Sequence, residues 1–223
     1  MCEEFADTKF QWKDRVAEEA QVVPKLTKLT IMKETKPETS PCRCSIEARA
    51  YDILGLAAHD FWVLRDEGNY VLGQLHGLAT NHKNEILPIG RVGDKLKFYH
   101  FGARATLLGL KPEHDFNFIK PDQKSMVVFA GNADDVLARW DNAVKALPYL
   151  NSLELPYTPF GILGLMPINS NTAYTLLGKL MGIRGHIFRG YWQPGWRNAH
   201  KILTASQLET MGYPQDVSDS DSA

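Results

Sequence analysis

The chain has 223 residues, 44% hydrophobic and 23% charged, with a formal net charge of -1 at neutral pH. That length suits one domain with a sizeable core, and the charge balance excludes a strongly basic nucleic-acid groove or an electrostatic membrane anchor. No apolar run approaches the roughly 18 to 20 residues that cross a bilayer, so no transmembrane segment is expected.

The chain opens on Met1-Cys2-Glu3-Glu4-Phe5, which lacks the basic-then-apolar order of a secretory signal, so a cytoplasmic start, or export without a signal peptide, is expected. Phe10, Trp12, Val16, Ala20 and Val23 recur at near-helical spacing up to Pro24, and Pro37 and Pro41 mark residues 33–42 as a loop. Residues 1–43 are therefore expected to hold an N-terminal helix and linker. The three cysteines, Cys2, Cys42 and Cys44, are too few and too clustered for a disulfide framework, and no second pair completes a zinc site. Residues 44–51 alternate as a strand, and two apolar arms turned at Asp66-Glu67-Gly68-Asn69 form a hairpin. Residues 86–92 and 95–101 suggest another strand pair turned by Gly93-Asp94, and 126–130 a short strand. Asn132 caps a helix striped with Val136, Leu137, Trp140, Val144 and Leu147, which Pro148 should end. A second helix runs over 169–181 to Gly182, and the acidic, serine-rich 214–223 reads as a disordered tail. These elements predict an α+β domain over 44–213, an antiparallel β-sheet packed against helices.

The hairpin carries His59 and His76. If Glu67-Gly68 is a two-residue loop, counting outward sets His59 directly opposite His76, on one face with Cβ atoms roughly 5 Å apart. A three-residue loop moves the register by one and sends them to opposite faces. Paired imidazoles suit a base and its orienting partner, or metal ligands. Asp60 follows His59 directly and so points to the other face, which argues against a His59, His76 and Asp60 metal site; no metal and no cofactor are expected.

Pro167-Ile168-Asn169-Ser170-Asn171-Thr172 places small polar residues at a helix N-terminus, where free N–H groups and the helix dipole favour an anion. Ser170 needs a base to become a nucleophile, and His59 is the candidate; a plain helix cap explains the same residues. The order of the three, histidine, a second polar residue one strand later and a nucleophile on a distant helix start, resembles circularly permuted papain-like hydrolases of the NlpC-type and lecithin:retinol acyltransferase-like groups. In the latter the helix motif runs Asn-Cys-Glu-His-Phe-Val, and Asn169-Ser170-Asn171-Thr172-Ala173-Tyr174 is similar to it over a resemblance spanning roughly 44–185. The resemblance implies a permuted papain-like fold, His59 as base, His76 as orienter, and Ser170 where a cysteine nucleophile stands. Members cut peptide cross-links or move acyl groups, and some are bacterial toxins.

The resulting expectation is a hydrolase or acyltransferase relative attacking an amide or ester carbonyl from position 170, with Asn169 and Asn171 at the oxyanion or positioning the site. The helix-opening backbone N–H groups would hold the oxyanion. Ser170 in place of cysteine leaves three explanations: a native serine nucleophile, a degenerate site, or an inactivating replacement. Trp192, Trp196 and Arg197, in an aromatic, glycine-rich run, are candidate lid residues. Expected partners are a small-molecule, lipid or peptide substrate and, for an exported effector, a cognate immunity or chaperone protein, with no nucleic acid. The alternative is a catalytically inactive binding or structural module on the same fold.

Overall fold

The computed structural model describes residues 42–87, 89–102, 118–159 and 167–213. The chain divides between Cys42 and Arg43. The expected N-terminal helix, most of the loop after it and the acidic tail lie outside the described residues.

From Arg43 onward the order is β1 (Arg43–Ile53), β2 (Ala57–Asp66), β3 (Val71–Thr80), β4 (Ile86–Leu87), β5 (Lys95–Phe101), β6 (Ser125–Asn132), α1 (Ala133–Ser152), α2 (Ser170–Met181), a 3-10 turn (Ala199–Lys201) and α3 (Ala205–Thr210). All described strand pairings are antiparallel. This is the α+β arrangement expected. One face of the sheet supplies Ile46, Ala48, Ala50, Trp62, Leu64, Leu75, Leu96 and Phe98 to a core shared with Val136, Trp140, Leu150, Leu176 and Leu180 of the two long helices. Cys44 is buried within that core, and among the described residues neither Cys42 nor Cys44 forms a disulfide. Among the described residues, no helix is long and apolar enough to cross a membrane.

Two expected elements are corrected. Among the described residues, 86–92 and 95–101 do not pair with each other: of the first stretch only Ile86 and Leu87 are strand, they pair with the end of β3, and β5 pairs with β3 from Gln74 to Thr80. The polar turn at Asn81–Glu85 folds β4 straight back, with the Asn81 side chain accepting from the N–H groups of Lys83 and Glu85. Helix α1 also runs through Pro148 to Ser152. Its last turn is held by tertiary contacts: Leu150 is fully buried, and the Asn151 amide bonds both the N–H and the carbonyl of Phe98 on β5. These contacts outweigh the hydrogen bond that proline removes.

The β2–β3 pairing positions the site. A strand has two edges, and β5 occupies one edge of β3 from Gln74 to Thr80, so β2 and β4 must share the other. β2 pairs there only as far as Trp62↔Leu75, and β4 begins at Ala79↔Leu87. Between them β2 leaves β3, and the sheet opens. Helix α2 crosses close to this opening because Gly77 has no side chain: a Cβ there would lie 2.1 Å from the Cβ of Ala173.

Candidate functional site

A cleft occupies the opening, lined by Ala57, Ala58 and His59 of β2, Gly77, Leu78 and Ala79 of β3, and Asn169, Ser170 and Asn171 at the start of α2. Tyr157 and Pro194 are also part of its wall.

The histidines reach one face by a route the turn formers alone do not reveal. The Asp66 N–H donates to the Tyr70 carbonyl and Asn69 takes a left-handed φ of 66°, so the loop holds three residues, Glu67-Gly68-Asn69. That displaces the register by one. A bulge then follows, because Arg65 pairs with Val71 but Leu64 with Gly73, which leaves Leu72 over and displaces the register again. Two one-residue displacements restore the original face. His59 and His76 are therefore diagonal neighbours, not directly opposed; continuing the register sets His76 beside Phe61, and those two rings stack with centroids 4.5 Å apart.

The diagonal distance suits two imidazoles. His59 Nε2 lies 2.9 Å from His76 Nδ1, and His76 Nε2 lies 3.3 Å from Gln74 Oε1. The amide oxygen can only accept, so His76 carries its proton on Nε2 and His76 Nδ1 accepts from His59 Nε2–H. His59 Nδ1 is then the unprotonated nitrogen, on the residue that lines the cleft. Phe61 and Phe118 pack on both rings. Burial lowers His59 to about 3. Burial, and then the neighbouring His59, lower His76 well below the usual imidazole range. Both rings are neutral at physiological pH. Gln74 is a site residue that the sequence reading passed over, although its spacing of two from His76 places it on the same face.

Ser170 opens α2. The Asn169 side chain caps the helix, accepting from Asn171 N–H (3.0 Å) and Thr172 N–H (3.3 Å), and its amide nitrogen donates to the Pro159 carbonyl. Asn171 turns toward β2, accepting from Asp60 N–H (3.0 Å) and donating to the Ala58 carbonyl (3.0 Å). It replaces the ladder bonds that β2 gives up where it leaves β3. Both asparagines thus fix the start of α2, and the backbone amides of Asn171 and Thr172 already donate to the cap. The expectation that several helix-opening N–H groups would form an oxyanion hole is corrected: a good cap consumes them. What remains beside the serine is Tyr157, which burial pushes above the usual phenol range and which contacts with the Ser170 side chain and backbone draw partly back. Nothing in the sequence flagged Tyr157. Among the described residues Ser170 makes no hydrogen bond to His59.

Asp60 points to the helix side of β2 and is fully buried. Gln193 Nε2 donates to its Oδ2 (2.6 Å), and burial raises the carboxyl well above the usual carboxylate range, against the lowering effect of that bond. Asp60 Oδ1 and Gln193 Oε1 are both buried without an assigned partner. The candidate lid residues do not cover the cleft. Trp192 is exposed, Trp196 packs against the core and Arg197 is exposed, while Pro194 alone of that run lines the cleft. The run instead ties α2 to the rest of the domain, with Thr172 and Thr175 hydroxyls donating to the carbonyls of Gly195 and Trp196. Among the described residues, no group of three histidine, cysteine or acidic side chains could hold a metal.

No family model matches this sequence, and no curated protein or solved structure matches the chain.

Proposed function

We propose that the domain is a papain-like acyl-transfer enzyme, a hydrolase or acyltransferase in which Ser170 attacks an amide or ester carbonyl. The observation that carries this reading is the Gln74–His76–His59 chain, which leaves one unprotonated nitrogen on a residue lining the cleft that Ser170 opens. As Ser170 Oγ bonds to the carbonyl carbon, its proton passes to His59 Nδ1, which returns it to the leaving group; water or a second acceptor then takes the acyl group from Ser170. A base lowered to about 3 by burial takes that proton only as negative charge develops beside it, since imidazolium and oxyanion form an ion pair in a low-dielectric cleft. The donor that stands beside Ser170 for the oxyanion is the Tyr157 hydroxyl, which the Ser170 side chain and backbone already contact.

A second reading, a binding module without turnover, is favoured by the committed amides of Asn171 and Thr172 and by the missing bond between Ser170 and His59. Labelling with a fluorophosphonate probe, read by peptide mass spectrometry, separates the two. Acyl transfer expects a label on Ser170 that is absent in Ser170→Ala and slowed in His59→Gln. A folded wild type that takes no label, and in which Ser170→Cys takes no thioester-forming substrate, leaves the binding module.

A further inference from the structure

The tip of the β1–β2 hairpin is shaped in a way that folding does not require. Leu56 N–H donates to the Ile53 carbonyl (3.3 Å) around Leu54 and Gly55, both left-handed at φ 58° and 72°. This is a type I′ turn, which Asn-Gly fits well and a leucine in first position fits poorly. Leu54 stands there 85% exposed, and Leu56 is 75% exposed. Trp192, 56% exposed, is fastened to the same tip: its N–H donates to the Leu56 carbonyl (2.9 Å) and its carbonyl accepts from Ala58 N–H (3.3 Å). Scattered exposed apolar side chains are ordinary, but three adjoining ones, one held on a strained turn, are not.

The surroundings indicate what covers them. Two exposed basic residues lie next to Trp192: Lys124 sits over the Tyr191 ring and donates to the carbonyl of Arg189. The acid beside the turn, Asp52, is engaged by Gly55 N–H and the Tyr191 hydroxyl. From the tip the apolar surface continues inward, since Ile53, Ala57 and Pro194 line the cleft. Tryptophan suits the headgroup level of a bilayer, leucines suit the acyl boundary beneath it, and lysine and arginine suit anionic headgroups.

We propose that Leu54, Leu56 and Trp192 form a shallow anchor that docks the cleft mouth on an anionic lipid bilayer. The anchor does not depend on the acyl-transfer reading, because it concerns adsorption and not turnover. The test is flotation of the full chain with unilamellar vesicles of phosphatidylcholine alone or mixed with phosphatidylglycerol. Leu54→Asn restores the residue the turn prefers, so the Leu54→Asn/Leu56→Gln variant should melt at the wild-type temperature or above it. The expected result is binding to the phosphatidylglycerol vesicles that weakens with salt, falls about tenfold or more in the double variant, and is accompanied by a blue shift in tryptophan emission missing from Trp192→Phe. Failure of the wild type to float, equal binding to neutral vesicles, or undiminished binding by Leu54→Asn/Leu56→Gln would each overturn the proposal. So would self-association in light scattering that the double variant abolishes, which assigns the patch to a second copy of the chain.

Discussion

Acid is expected to destabilise this domain through its two buried imidazoles, by an amount that their environment sets. Burial lowers His59 to about 3 and drives His76 well below the usual range. In the unfolded chain both rings return to about 6.5. Below that pH the unfolded chain takes up protons that the folded domain refuses, so stability present above about pH 6.5 is lost as pH falls toward 3. At about 1.4 kcal/mol per pH unit, going from about pH 7.5 to about pH 5 removes about 2 kcal/mol through His59. His76 removes a similar amount while its folded value stays below that range. The sum, about 4 kcal/mol, is a large share of the 5 to 15 kcal/mol typical of a domain. Asp60 acts with the opposite sign: its carboxyl stays neutral in the fold while the unfolded chain ionises above about 3.9, so acid relieves its cost. The assay must cancel that contribution. Urea unfolding of the wild type and of His59→Phe/His76→Phe does so, because both keep Asp60 and the new rings can pack on Phe61 and Phe118. The wild type should lose about 4 kcal/mol more than the variant across that pH interval. A difference under about 1 kcal/mol would refute the reasoning, as would imidazole nitrogen resonances of His59 and His76 that titrate near pH 6.5.

Two further outcomes follow from single contacts. Asn171→Ala leaves the Asp60 N–H and the Ala58 carbonyl unpaired in a buried place, and should cost about 2 to 6 kcal/mol in chemical denaturation; a loss below about 1 kcal/mol would mean that β2 does not depend on that amide. Asp60→Asn should be tolerated at neutral pH within about 1 kcal/mol, because an amide can donate to Gln193 Oε1 while still accepting from Gln193 Nε2. The melting temperature of Asp60→Asn should also fall less than that of the wild type as pH rises. A collapse of the variant at neutral pH would show that the charged carboxylate is what the fold needs.

Much of the architecture was legible because local chemistry agreed with tertiary need. Asn169 and Gly182 bound α2 as their side-chain and backbone preferences dictate, with Gly182 at φ 65°. Asn132 caps α1 in the same way. Failures came where a partner distant in sequence decided the outcome. Pro148 reads as a stop, yet Asn151 and β5 carry the helix past it. The pairing of His59 with His76 was anticipated on a register that the protein does not use, because neither the third loop residue nor the leftover Leu72 can be told from turn composition. A parity argument survives two slips as well as none. Of the site, the two histidines and the serine were visible by residue type and place, whereas Gln74 and Tyr157 acquire meaning only once the strands have a register and the cleft has walls.

The side-chain amide of Asn171 that replaces a strand also has a kinetic consequence. Until α2 arrives, Ala58 and Asp60 expose one bare edge of β2, and the residue that closes it lies 111 positions further along the chain. Contacts of such separation form late, since a long loop must close before they are made. During synthesis β2 is complete long before its partner leaves the ribosome, and over that interval it is a free strand edge flanked by the apolar run Phe61-Trp62-Val63-Leu64. The same bond that assembles the cleft therefore sets the period in which this protein is most exposed to aggregation, and amide exchange at Asp60 during refolding should be among the last to become protected.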